Sequence, residues 1–275
     1  MTKLKIWNEH KSWSAAEAAW DEGAQAAAQQ QPIKGLKNLP KVPGITADTA
    51  KNLKWKSFLY MLMHDHKGEV RRGILRHPIK HAVSFVKSLL KGKSYYAEGD
   101  FYYYGVKGLD EFKELLIDPD ALFVVGFSYC EKPFECPSGR FTDECIRDPD
   151  HLVCRQCKVG KCMNALPDQN SFPVLIPTIH YIGGKIFDIQ HAHPGKKLIF
   201  MITACELVLE MFGDWGNMAG IRGIGVRFGG RVCNTMKAFE LSEEGIKPGL
   251  TVVVDETHQK MLELIRHRRQ ALSSS

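Results

Sequence analysis

The chain has no apolar run long enough to cross a bilayer. Its longest near-apolar stretch, Leu198 to Leu209, is broken by Glu206, and a spanning helix needs about 20 apolar residues. The opening residues, MTKLKIWNEHKSW, lack the uninterrupted apolar core of a secretory leader. A cytosolic protein is expected, with its thiols kept reduced. There is no Gly-x-Ser-x-Gly nucleophile elbow and no Walker phosphate loop, which argues against a serine hydrolase and a P-loop nucleotidase. Gly223-Ile224-Gly225 lacks the rest of a dinucleotide fingerprint and falls where a strand begins, so it reads as packing glycine. Charge of one sign is also in short supply. A formal +6 is modest for 31.0 kDa and does not call for nucleic acid.

Cysteine is what stands out. Six of the eight fall between residues 130 and 162, in CEKPFECPSGRFTDECIRDPDHLVCRQCKVGKC. They are Cys130, Cys136, Cys145, Cys154, Cys157 and Cys162, with Cys154-x2-Cys157-x4-Cys162 the tightest part. In a reducing compartment such a group reads as metal-binding or catalytic rather than as disulfides. Thiolates are preferred ligands of zinc and of iron–sulfur clusters. Pro133, Pro137, Pro149, Gly139 and Gly160 predict a loop, neither helix nor strand, over the whole segment. Its acidic residues Asp143, Glu144, Asp148 and Asp150 read chiefly as keeping that loop hydrated.

From Asp118 onward, short β-branched runs alternate with helical stretches. Strands are expected at 121–127, 173–179, 198–204, 223–228 and 250–255, and helices at 182–190, 205–212, 234–244 and 256–268. This pattern predicts an α/β fold: a mostly parallel sheet with helices on both faces, a long cysteine-rich loop insertion and an N-terminal helical extension. Ligands of such sheets collect beyond the C-terminal strand ends. Cys205 directly follows LIFMITA, and Cys233 follows GVRFGGRV. With Cys130, three separate stretches deliver cysteine to one sheet edge. Cys205 is placed at a helix N-terminus, where a thiolate is favoured. Gly183-Gly184 is expected to open a helix and let backbone approach a ligand. The candidate metal ligands are therefore all eight cysteines: 130, 136, 145, 154, 157, 162, 205 and 233. The candidate cofactor contacts are Cys205, Cys233, Gly183 and Gly184.

The N-terminal region, 1–95, is expected to be helical and the 96–275 region to form the α/β cysteine-rich domain. A helix over 3–31 carries Trp7, Trp13 and Trp20, read as docking on the body. PIKGLKNLPKVP (32–43) has linker composition. Thr46 or Asp48 is expected to cap a helix running on through Trp55, Phe58 and Leu62. Residues 64–93 hold eight Lys/Arg against Asp65 and Glu69 on an amphipathic pattern, with a break at Pro78. A solvated face is the plainer account, and an anionic membrane surface or RNA the sharper one. Phe85 is the one Phe, Tyr or Trp among those charges, which weakens a single-strand reading. The pairs His64/His66 and His77/His81 read as structural, and SYYAEGDFYYYG (94–105) as an edge strand or packed loop. Of His180, His191 and His193, one is a candidate acid or base.

The run Cys154-x2-Cys157-x4-Cys162 is followed by a strand and Gly183-Gly184. Then come a strand ending Ala204-Cys205-Glu206, a helix, Gly223-Ile224-Gly225-Val226, and Cys233-Asn234-Thr235. In this order of cysteines and strands, residues 120–255 resemble the uncharacterised cysteine-rich family catalogued as domain of unknown function 116. The resemblance implies an α/β domain with a metal or iron–sulfur centre and no established reaction. The upstream Cys130, Cys136 and Cys145 depart from that pattern.

The ligand gaps of x5, x8 and x8 do not make two neat zinc pairs, whereas clusters draw ligands from scattered loops. The first expectation is thus an iron–sulfur protein, with one or two [4Fe–4S] clusters, acting in redox or electron transfer at a strand-end crevice as an oxidoreductase. Its partner would be a redox protein or a small-molecule substrate. One alternative is a zinc-stapled binding module whose basic helix holds RNA or a membrane surface. Another is sulfur transfer or cluster assembly through Cys205 or Cys233 as a reactive thiolate.

Overall fold

A computed structural model describes residues 5–36, 44–90 and 92–273. The start of the 3–31 helix, most of the 32–43 linker and Lys91 of the basic segment lie outside the described residues. The centre of the molecule is a six-stranded sheet of β1 (Tyr96–Glu98), β2 (Phe101–Tyr104), β3 (Leu122–Ser128), β4 (Ser171–Ile176), β5 (Leu198–Ala204) and β6 (Arg222–Arg227). Its order is β1-β2-β6-β5-β3-β4. The four strands β6, β5, β3 and β4 run parallel, and the β1–β2 hairpin adds on antiparallel beside β6. Strands β3 and β5 are unbroken apolar runs because they sit inside the sheet with both faces covered.

The sequence signals place these strands within two or three residues of their ends, with one difference. The stretch expected as a strand at 250–255 forms only β8 (Thr251–Val252). It pairs with β7 (Gly229–Gly230) in a separate ribbon. The place beside β6 is taken by the tyrosine-rich hairpin, with Phe101 opposite Val226 and Tyr104 opposite Gly223. Tyr104 is buried, and its hydroxyl donates to the Leu209 carbonyl at 2.7 Å, tying the hairpin to the helix Glu206–Ala219.

The cysteine segment is not all loop. Helices Leu152–Gln156 and Lys158–Ala165 carry Cys154 and Cys162, and Cys157 is the joint between them. Gly160 does not break the second helix. A Cβ there would stand 2.6 Å from the Cys154 carbonyl oxygen, so glycine is what lets the two short helices close on each other. The first helix is capped by His151, whose Nδ1 accepts from the Val153 amide.

The N-terminal tryptophans dock on this body. Trp7 and Trp20 are buried with ring centroids 5.9 Å apart, and Arg155 lies over the Trp20 ring at 5.0 Å. Thr46 caps a single turn, Ala47–Ala50. The chain then breaks at Asn52, in the left-handed region, before Leu53–Met63 begins. The basic segment forms two helices, Glu69–Arg76 and Pro78–Leu90, with Pro78 at the first helical position, where its missing N–H costs nothing. The C-terminal helix, Asp255–Ser273, packs on Leu109–Ile117 and on the second cysteine helix.

Candidate functional site

The C-terminal ends of β3, β4 and β5 open into a cavity of about 90 Å³. Three cysteines line it: Cys130 just past β3, Cys205 just past β5, and Cys233 beyond β6 and β7. All three are buried and none is in a disulfide. A parallel sheet explains the convergence of Cys130 and Cys205, which directly follow strands pointing the same way, and Cys233 arrives beyond β6 through the β7 ribbon. Most of the remaining wall is apolar, with Met61, Ile182, Ile202 and Phe212 among its members.

The three thiols are not equivalent. Cys205 and Cys233 share the cavity wall and interact electrostatically, and the Cys233 Sγ also lies 3.4 Å from the Ala238 carbonyl. The Lys247 ammonium donates to Cys233 Sγ at 3.1 Å. The Cys205 thiol and that ammonium together hold Cys233 below the ordinary thiol range, while the same contact pushes Cys205 up. Burial pushes Cys130 up as well. The Glu243 carboxyl, on the cavity wall, is pushed up to about 8 by burial and accepts from the Ile179 amide at 2.9 Å. The lysine contact favours the thiolate at Cys233, whereas burial disfavours charge on Cys130, Cys205 and the Glu243 carboxyl.

The remaining loop cysteines form a second group. Cys136 and Cys145 each interact electrostatically with both Cys154 and Cys157. Burial pushes Cys145 up, and Cys154 and Cys157 up to about 12. Lys132 lies buried among them. Its ammonium donates to the Glu144 carbonyl at 2.9 Å and is faced by Cys136, Cys145, Cys157 and, more weakly, Asp143. Burial lowers its pKa. Arg140 knits this loop to the rest, donating to the carbonyls of Lys132, Cys130, Lys247 and Gly249. Among the described residues, no three His, Cys, Asp or Glu side chains are placed to hold a single metal ion.

Cys162 stands apart. It is fully buried on the second cysteine helix, and its sulfur is 3.4 Å from His258 Nε2, with Glu131 as a further charged neighbour. Gly183 and Gly184 sit one turn into the helix Ile179–Ala192, not at its start. A Cβ at Gly183 would come 2.9 Å from Val70 Cγ2, and one at Gly184 would come 3.0 Å from Glu69 Cβ. They let the basic helix Glu69–Arg76 pack closely, and Gly183 also lines the cavity. His180 Nε2 donates to the Met61 carbonyl, 3.1 Å away. Asp143 accepts from the Tyr181 hydroxyl at 2.8 Å.

Sequence reasoning missed Lys247, Lys132 and Glu243. None belongs to a motif. Lys132 lies between two cysteines in CEKPFEC, and a lysine enclosed by thiols was the only signal available for it. Among the described residues no helix is long and apolar enough to cross a membrane. No family model, curated protein or solved structure matches this chain.

Proposed function

We propose that the chain is an iron–sulfur protein. In this reading the loop cysteines Cys136, Cys145, Cys154 and Cys157 hold a cluster, and electrons pass to a small molecule or a redox partner at the strand-end cavity. The observation that carries the proposal is Lys132, an ammonium buried among three of these thiols, Cys136, Cys145 and Cys157. Burying a cation is costly without a compensating negative charge. Four neutral thiols supply none. Four thiolates on a cluster carry a net negative charge and would supply it. The sulfurs interact without meeting at one point. A zinc ion, with sulfur at about 2.3 Å, needs its ligands gathered tightly. A cubane, with irons and sulfides between its ligands, takes them further apart. The resemblance to the cysteine-rich family noted above points the same way. Bound there, a cluster would supply one-electron chemistry. This chain's own part is to shield it with the two short helices and to set the local charge through Lys132.

The test is purification of the full chain without oxygen. A brown protein absorbing near 400 nm, with iron and acid-labile sulfide in equal amounts, supports the reading. A colourless protein carrying zinc would replace it with the stapled binding module.

A separate observation bears on where the protein acts. Among the described residues, ten of the sixteen exposed large hydrophobic side chains fall between Trp55 and Leu90. Ile79, Val83, Val86 and Leu90 recur at helical spacing on Pro78–Leu90, and Trp55, Leu59 and Leu62 do so on Leu53–Met63. The helices join through Phe58 and Phe85, whose rings are 5.5 Å apart. Lys80 and Lys87 flank the apolar stripe on one side. An apolar face edged with cations is complementary to an anionic bilayer surface. The protein is expected to sediment with vesicles containing anionic phosphatidylserine and not with neutral ones. Val83→Glu with Val86→Glu is expected to cut that binding by tenfold or more, roughly the effect of placing charge in an interfacial apolar face. Equal binding to neutral vesicles, or none to either, would refute it.

A further inference from the structure

The cavity cysteines are not needed by the loop cluster, and their arrangement carries its own chemistry. We propose that Cys233 and Cys205 form a redox-active dithiol that reduces small uncharged disulfides entering the strand-end cavity, with Cys233 as the attacking sulfur. This goes beyond the iron–sulfur reading and rests on different residues.

Three features separate Cys233 from the other thiols. It is the cavity cysteine that a lysine ammonium contacts, at 3.1 Å. It shares the cavity wall with a second cysteine, Cys205, delivered by a different strand and coupled to it electrostatically, so a resolving thiol is at hand. Both sulfurs line one enclosed space instead of facing solvent. The thiolate is the nucleophile in disulfide exchange, and a neighbouring cation favours it. Cys205 is pushed the other way and keeps its proton until the second step. This division of labour, one thiolate and one neutral partner, suits an attacking and a resolving cysteine. The apolar walls and the small volume set the substrate class. An uncharged disulfide of a few heavy atoms can enter, whereas a protein disulfide cannot reach sulfurs that are only 5% exposed.

The steps balance. The Cys233 thiolate attacks one sulfur of R–S–S–R, forming a Cys233–S–S–R mixed disulfide and releasing one thiolate, which takes up a proton. Cys205 gives up its proton and attacks Cys233 Sγ. The S–S bond between Cys233 Sγ and the substrate sulfur breaks, R–S⁻ leaves and takes up the Cys205 proton, and a Cys205–Cys233 disulfide remains. The protein loses two electrons and the substrate gains them as two thiols. A dithiol reductant from solution then restores the pair by the same exchange in reverse.

The probe is 2-hydroxyethyl disulfide, incubated with the full chain purified without oxygen. Two thiols released per chain, with a Cys205–Cys233 disulfide found by peptide mapping, is the expected result in the unmodified protein. Cys205→Ser should stop at a mixed disulfide on Cys233. Lys247→Met should move the pH profile of the first step upward by about one unit, because the cation that favours the thiolate is gone. Iron per chain should stay the same in all of these variants. Reaction at Cys130 in place of Cys233, or no thiol release from the unmodified protein, would overturn the proposal. So would a fall in iron content in Cys205→Ser or Cys233→Ser, because the cavity would then be a cluster site. Failure of the loop cluster would appear differently, as iron-free protein that still exchanges disulfide.

Discussion

Replacing Cys136, Cys145, Cys154 or Cys157 with Ala is expected to strip most of the iron from the protein, whereas Cys162→Ala leaves iron per chain unchanged. The sequence spacing alone groups Cys154, Cys157 and Cys162. The fold regroups them, because Cys162 lies on the buried side of Lys158–Ala165 against His258, while Cys154 and Cys157 face Cys136 and Cys145. Loss of the cluster is also loss of folding energy. A ligand present at a thousandfold its Kd stabilises by about 4 kcal/mol. Each kcal/mol moves the Tm of a chain this long by roughly 2–4 °C. The four variants should therefore melt on the order of 10 °C below the loaded protein, and lose the absorbance near 400 nm. Iron analysis beside a melting curve checks both. Full iron in any of the four, or iron lost from Cys162→Ala, would defeat this assignment.

Arg268→Ala is the other substitution with a large expected effect, and it lies far from either cysteine group. Arg268 is fully buried on the C-terminal helix. Its guanidinium donates to the carbonyls of Leu116 at 3.0 Å, Asp118 at 2.5 Å and Ala121 at 2.6 Å. These carbonyls belong to the turn that leads from the helix Leu109–Ile117 into β3. Removing the side chain takes the guanidinium from three carbonyls, of which Asp118 keeps only the Ala121 amide at 3.2 Å, and leaves a void where it was. An unsatisfied buried group costs about 1–3 kcal/mol, so a total of roughly 3–5 kcal/mol is expected. At 2–4 °C per kcal/mol this lowers Tm by about 10 °C. Arg268→Lys should recover only part of it, since one ammonium cannot reproduce a planar fork aimed at several carbonyls. Denaturant unfolding of the three proteins measures the difference, and a Tm for Arg268→Ala within roughly 2 °C of the parent would show that the turn holds itself.

What was legible in the sequence follows from the range of each interaction. Strands β3 and β5 were readable because a strand buried on both faces must be apolar throughout, and nothing else in the chain imitates seven such residues ending in a small or polar one. The break at Pro78 was readable because a missing N–H acts locally. The two short cysteine helices were not readable. Gly160 and the prolines around it argue for a loop, and the close approach that requires glycine there is made with the Cys154 carbonyl, a tertiary fact. The 250–255 run failed as a central strand for a similar reason. Its composition suits a sheet, but the tyrosine hairpin already occupies the place beside β6.

The same division holds for the site. The sequence by itself determined that six of eight cysteines crowd into residues 130–162, that three stretches carry cysteine past strand ends, and that a basic amphipathic segment precedes the α/β body. Those are properties of residue type, spacing and strand direction, which need no knowledge of neighbours. Only the tertiary structure decided how the thiols divide. It set Cys130, Cys205 and Cys233 on one cavity and Cys136, Cys145 and Cys157 around Lys132 with Cys154 beside them, and left Cys162 to His258. It also brought Lys247 from fourteen residues away to within 3.1 Å of Cys233. A thiol's reactivity depends on the charge and burial within a few ångströms of its sulfur, and those neighbours are supplied by chain distant in sequence, whose arrival only packing fixes.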